Sequence, residues 1–221
     1  MQADMLTQLA DIAGVIQIVE QGTLPGGLPY VITRPFGSLL AINDSAELVI
    51  SVVQSAASII QQLACRTPPV LHRDISVGNL IYYGDDQSTF LIDFGTAVVA
   101  SAGCLSAMGP YSITGTCTFI ARSVLEGEGY SLSSELESLM YVLVFLAVDG
   151  AAHWGNKPIG PAALDVKVAT FGEQESFDKY VLRRCRSDLM QAVKRLRNVF
   201  WEPTYQRNIT TLQFCQAVQP S

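Results

Sequence analysis

The residues best suited to chemistry are the run His72-Arg73-Asp74-Ile75-Ser76-Val77-Gly78-Asn79 and, a short way on, Asp93-Phe94-Gly95. Two carboxylates and an amide in this order suit phosphoryl transfer. Such a transfer asks for little covalent chemistry from a protein. It needs a carboxylate to orient the attacking hydroxyl and accept its proton, and a cation to spread charge. Asp74 has the place of that carboxylate, and Asn79 and Asp93 those of two side chains for Mg²⁺, with ATP as the phosphate source. The elements that must position them are also legible. Asn79-Leu80-Ile81-Tyr82-Tyr83 and Phe90-Leu91-Ile92, separated by Gly84-Asp85-Asp86, read as a hairpin carrying the three groups to one place.

The pattern H-R-D-x-x-x-x-N followed by D-F-G resembles that of eukaryotic-type protein kinases. Either motif alone is weak; order, separation and flanking strands carry the resemblance. Glu135-Leu136-Glu137-Ser138-Leu139-Met140-Tyr141-Val142-Leu143 is similar to the D-L-E-S-L-x-Y-V-L segment of the fungal-type protein kinase family. His72-Arg73-Asp74-Ile75-Ser76 also fits that family better than the commoner H-R-D-L-K-P form. The resemblance implies an α+β, protein-kinase-like fold. Residues 38–221 would form a mostly helical C-terminal lobe, and residues 1–37 a short β-hairpin remnant of the N-terminal lobe.

Met5 to Ala10 reads as the end of a helix, and Val15 to Val19 and Tyr30 to Thr33 as strands joined by a turn rich in Pro and Gly. On the resemblance these strands precede the hinge, whose backbone would bond adenine around Ile32, Thr33, Arg34 and Phe36; the gatekeeper is Ile32 or Thr33. From Leu48 to Leu63 the apolar residues Val49, Val52, Val53, Ala56, Ile59, Ile60 and Leu63 recur at helical spacing, and Thr67-Pro68-Pro69 ends the run. Ser134-Glu135-Leu136-Glu137 reads as a capping box opening a helix apolar on all sides, which must be central. Two helices are expected around Phe177 to Phe200, with Arg183, Arg184, Arg186, Lys194, Arg195 and Arg197 mostly on a solvated face. Asp93 to Leu125 is poor in charge and rich in Gly, Ser and Thr, the composition of a mobile loop.

Supporting roles follow from the resemblance. His72, Phe94 and Gly95 complete the two motifs, and Thr116, in Gly115-Thr116-Cys117-Thr118-Phe119-Ile120-Ala121, is the threonine that bridges to the catalytic aspartate and marks serine/threonine specificity. Arg73 either anchors the activation segment through a phosphate on Ser112 or Thr114, or serves in a structural ion pair. Ser76 stands where serine/threonine kinases carry a phosphate-contacting lysine, although the fungal-type family tolerates serine. Ser123 occupies the position of the A-P-E glutamate, so Arg207 needs another acceptor, and Glu126 is nearest in sequence. Buried without one, that guanidinium would cost about 3–5 kcal/mol. Glu135 replaces an aspartate that bonds the catalytic loop, and its extra methylene is expected to shift that loop.

No G-x-G-x-x-G loop and no V-A-I-K lysine precede the hinge, so the chain reads as incomplete, inactive alone and in need of a missing N-lobe segment or partner. A pseudokinase-like binding scaffold is the competing class. A small-molecule phosphotransferase of the aminoglycoside or choline kinase type shares the H-x-D-x-x-x-x-N spacing, but Arg73, Gly95 and Gly115-Thr116 favour a protein substrate presenting Ser or Thr.

Bulk properties narrow the partners. With 49% hydrophobic and 15% charged residues, the 221-residue chain is not disordered. A net charge of −6 argues against nucleic acid. The longest apolar run, Leu139 to Val148, is far short of the roughly 20 residues that span a bilayer. Five cysteines without a C-x-x-C pair read as reduced, mostly buried thiols of an intracellular protein, cytoplasmic or nuclear.

Overall fold

The structure, a computed structural model, describes residues 2–84, 87–100, 113–155 and 157–219. Helix α1 (Gln2–Gln8) buries Leu6, and Leu9 follows it into the same core. Strands β1 (Gln17–Thr23) and β2 (Pro29–Arg34) form an antiparallel hairpin with a bulge between Ile18 and Glu20. The hairpin begins later than the sequence suggests, because Val15 and Ile16 pair elsewhere. Val15 bridges Leu91 in parallel, with the Leu91 N–H on the Gly14 carbonyl at 2.7 Å and the Ile16 N–H on the Leu91 carbonyl at 3.3 Å.

β3 (Ser38–Leu39) leads to α2 (Ala46–Ala64), β4 (Val70–Leu71), β5 (Leu80–Tyr83), β6 (Ser88–Leu91) and β7 (Val98–Val99). The expected hairpin is β5–β6, with Leu80 opposite Leu91, and β3 joins it along β5. That sheet connects the segment after Phe36 to the residues flanking both chemical motifs. β4 pairs with β7, so the start of the loop after Asp93 is a strand and not open chain.

α2 begins where the Ser45 hydroxyl accepts the Leu48 N–H at 3.2 Å, satisfying one orphan donor of the first turn. All seven apolar residues predicted for its face are buried, against α4, α8 and β6. α2, not Leu139 to Val148, is the described helix long and apolar enough to cross a membrane by length and composition; half of that window is packed inside the protein. α3 (Arg122–Leu125) precedes α4 (Leu132–Ala147), which is capped by Ser131. Ser134 is the third residue of that capping box and not its opening, since its hydroxyl accepts from the Ser131 N–H at 2.7 Å. α4 is buried almost all round, as its composition requires, and packs on α2, α3 and α7. Fully burying one of its leucines contributes about 1.5–3 kcal/mol.

Pro161 opens α5 (Pro161–Gly172), which periodicity did not reveal, and α6 (Gln174–Tyr180), α7 (Met190–Trp201) and α8 (Thr211–Val218) complete the eight helices of the described residues. With three small antiparallel sheets, the class is α+β. Two expectations change. Arg197 is only 3% exposed, its Nε on the Phe171 carbonyl at 2.9 Å and its Nη1 on Gln174 and Glu202, because α7 presents it inward to α5 and α6. Cys65 is exposed and Cys117, Cys185 and Cys215 half-buried, so these thiols are free but not core residues; Cys104 lies outside the described residues.

Candidate active site

The loop after β4 turns sharply at Arg73, whose φ of +69° is in the left-handed region. A side-chain-bearing residue holds that conformation only where its surroundings over-determine it. Here the Arg73 N–H donates to Glu135 Oε1 on α4 at 2.7 Å, and the Arg73 guanidinium lies 5.2 Å from the centre of the Tyr130 ring. His72, fully buried, spans the motifs. Its Nε2 bonds the Ile92 carbonyl at 2.9 Å and its Nδ1 accepts the Asp74 N–H at 3.3 Å, while Phe94 packs edge-on against the ring at 4.7 Å. Burial holds the imidazole below its ordinary pKa, and the bonds fit the neutral Nε2–H tautomer.

Asp74 is held on both oxygens. Oδ1 accepts from the Thr116 N–H at 2.8 Å and from the Thr116 hydroxyl at 2.9 Å, and Oδ2 accepts from Asn79 Nδ2 at 3.1 Å. Asn79 Nδ2 also donates to the Asp74 carbonyl at 2.8 Å. The amide is thereby oriented, with its oxygen turned away from Asp74. The Ile92 N–H bonds the Asn79 carbonyl at 3.0 Å, which places Asp93 one residue from the Asn79–His72 frame. Asp93 is also left-handed, φ +57°, is exposed, and accepts the Gly95 N–H at 3.2 Å. A Cβ on Gly95 would sit 3.0 Å from that same Asp93 oxygen. Among the described residues no cluster of three His, Cys, Asp or Glu side chains could cage a metal. One exposed carboxylate and one oriented amide oxygen instead fit Mg²⁺, which takes few protein ligands and completes its shell with water and phosphate.

Glu135 reaches the loop at Arg73 with its longer side chain. Its Oε2 is buried without a hydrogen bond, and desolvation pushes the group from 4.5 up to about 7, opposed by the Arg73 N–H. A raised carboxyl pKa favours the folded state fully below the unfolded value and loses that contribution as pH climbs through the folded value. Glu135→Gln keeps the acceptor and cannot ionise. Its unfolding free energy is expected to gain on the wild type by up to roughly 3 kcal/mol from pH 4.5 to 8, at about 1.4 kcal/mol per pKa unit. Urea titrations of both proteins across that range check this.

Gly115 explains how Thr116 comes so close to Asp74. Its φ is +103°, and a Cβ there would lie 2.6 Å from the Arg73 carbonyl oxygen, a backbone atom that cannot step aside. Gly115→Ala is expected to cost about 2 kcal/mol in chemical denaturation, as for a strained backbone position. Thr114, upstream, is clasped by Tyr130, whose hydroxyl accepts the Thr114 N–H at 3.0 Å and donates to its carbonyl at 2.6 Å. Ser112 lies outside the described residues. Of the hinge candidates, Ile32 and Arg34 are exposed, Thr33 is half-buried on β2, and Phe36 is 91% exposed.

Residues 28–147, more than half of the chain, match the fungal protein kinase family. The chain belongs to that family. No curated protein matches it. The matched span contains every residue described so far around Asp74, from the hinge candidates to Glu135. Against the wider kinase pattern, Ser76 is 5% exposed and makes no side-chain capping bond, so its short hydroxyl cannot take over the reach of a lysine. Ser123 is buried, its N–H bonded to the Tyr205 hydroxyl at 3.1 Å. Arg207 does find Glu126, at 2.9 Å, and also Glu128, at 2.7 Å. It is 45% exposed, so the pairs contribute little through water.

Sequence reasoning did not single out Glu137, Lys167, Tyr130, Tyr205 or Trp154. Glu137, 1% exposed on α4, accepts from the Tyr141 hydroxyl at 2.7 Å, from the Arg122 N–H at 3.1 Å and from the Tyr205 hydroxyl. The available signal was a charge inside an apolar helix, since carboxylates are fully buried only with partners.

Proposed function

We propose that this chain is a serine/threonine protein kinase domain that transfers the terminal phosphoryl group of ATP to a protein hydroxyl. The observation that carries the reading is the bonding of Asp74: Thr116 on one carboxylate oxygen, Asn79 on the other, beside the Asp93 turn. Held in this way, the carboxylate is aimed and cannot rotate, which suits it to orient a serine or threonine hydroxyl and accept its proton. Asn79 and Asp93 supply the oxygens for Mg²⁺. Bound there, the cation would neutralise negative charge developing on the phosphates. His72 and Phe94 lock the two loops to each other, and Glu135 fixes the turn that presents Asp74. Thr116 supports serine/threonine specificity, and the β2-to-β3 segment around Ile32, Thr33, Arg34 and Phe36 is the adenine side of the site. Residues 1–37 would belong to the N-lobe and 38–221 to the C-lobe; the net negative charge argues against nucleic acid, and the scattered cysteines without a C-x-x-C pair favour an intracellular protein.

A binding scaffold is the second reading, favoured by one observation: buried Ser76 cannot offer the phosphates the charge that a lysine at that position would supply. Titration with Mg²⁺-ATP separates the two. At a hundredfold excess over Kd, nucleotide is expected to stabilise the protein by about 2.7 kcal/mol, or about 5–10 °C in Tm, and Asp93→Ala to abolish the shift. No shift at millimolar nucleotide would sink the nucleotide-binding reading in favour of the scaffold.

A further inference from the structure

We infer that Lys167 is a positioning residue for phosphoryl transfer: from α5 its ammonium clamps the carbonyls of Thr118 and Ile120 and so keeps Thr116 against Asp74. The clamp rests on geometry alone; its catalytic consequence rests on the kinase reading above.

Lysine is almost never fully buried unless its charge is matched. Lys167 is 0% exposed. Its Nζ donates to the Thr118 carbonyl at 3.1 Å and to the Ile120 carbonyl, and lies 4.0 Å from the centre of the Tyr141 ring. The indole of Trp154 bonds the same Thr118 carbonyl at 3.0 Å, and Glu137 holds the Arg122 N–H. Residues 118, 120 and 122 are thus tied to the core from below. The Phe119 N–H closes a turn onto the Thr116 carbonyl at 2.8 Å, so the tethered stretch carries Thr116 with it. With Ser123 offering no carboxylate to pin α3, the ammonium does by carbonyl contacts what an ion pair would otherwise do. An apolar residue of similar volume would fill the space without the desolvation cost, so packing alone does not call for a lysine.

The groups facing Lys167 are Tyr141 and Glu137 on α4 and Cys117 on the tethered segment, with Tyr205 bonded to Glu137. Burial brings Lys167 from 10.5 down to about 7, opposed by Glu137 and Cys117. The ammonium therefore becomes an amine with fewer donors as pH rises through that range.

The test is amide hydrogen exchange on the whole chain, expressed as protection relative to intrinsic exchange. Lys167→Met is expected to lower protection at Thr116 and Phe119 at least about tenfold at pH 6, as for losing bonds from a charged donor, with Val193 and Leu196 of α7 unchanged. In the Glu135→Gln background, which removes the other group titrating near 7, Thr116 protection falls as pH rises through about 7 with Lys167 present and is low and flat with Lys167→Met. Unchanged protection at Thr116 in the variant, an equal loss throughout α7, or a pH step that persists without the lysine overturns the inference. If Lys167→Met does not fold, Lys167→Gln, whose amide keeps two N–H donors but neither charge nor titration near 7, carries the pH comparison. In the phosphotransfer arm, kcat falls about tenfold with KM for ATP unchanged, as when an interaction made only in the transition state is lost. Loss of segment protection in the variant with no stabilisation of the wild type by Mg²⁺-ATP would leave the clamp standing and count against the kinase reading.

Discussion

Glu137→Leu is expected to lower the unfolding free energy by about 4 kcal/mol, because removing one member of a buried charged network strands the others. The carboxylate takes the Arg122 N–H and two tyrosine hydroxyls, and lies near enough to Lys167 to act on its charge. Tyr141 and Lys167 are fully buried and have no water to turn to, and each unpaired donor costs about 1–3 kcal/mol. Urea denaturation measures the loss. The double variant with Lys167→Met is expected to be less unstable than the two single losses combined, since the stranded ammonium is then gone too. A double variant as unstable as the sum would mean that the two residues act independently.

Asp74→Ala is expected to lower phosphoryl transfer by about 10³-fold, the range of a lost general base. The measurement is ATP-dependent phosphate transfer to a pool of serine and threonine peptides, with Asp74→Asn in parallel. Asparagine keeps an acceptor for Thr116 and removes the proton-accepting charge. Equal loss in both variants assigns the effect to proton acceptance. Near-normal transfer by Asp74→Asn would make the residue a mere anchor for Thr116. Transfer to small alcohols but not to peptides would replace the protein substrate with a small-molecule one.

Much of this architecture was legible because it follows from local chemistry. The face of α2 could be read from a helical period, since one side of a helix either meets the core or does not. The β5–β6 hairpin could be read from two strand-like runs and a polar turn. The order of Asp74, Asn79 and Asp93 identified the family, and the structure brings Asp74 and Asn79 into direct contact with Asp93 close by on the adjoining turn. Strand ends were read less well. Val15 and Ile16 look like part of the first hairpin, but Leu91 competes for their backbone from more than seventy positions away in sequence, which no local pattern encodes. Ser134 has capping-box spacing to Glu137, but Ser131 has the extended backbone a cap needs and holds that position.

The sequence by itself determined the chemical vocabulary: which carboxylates and amide stand at phosphoryl-transfer spacing, which helices are apolar on one side or all round, and which family the chain belongs to. These are properties of neighbours along the chain. Only the tertiary structure decided the fate of charges. Arg207, for which the sequence offers Glu126 as acceptor, meets it at the solvent-exposed surface, and Arg197, expected on a solvated face, is inside. Lys167, with no distinguishing context, sits beneath the segment that holds Thr116. Whether a charge is desolvated depends on what packs over it from distant parts of the chain, and that is settled by the three-dimensional arrangement and not by the residue's own surroundings in sequence.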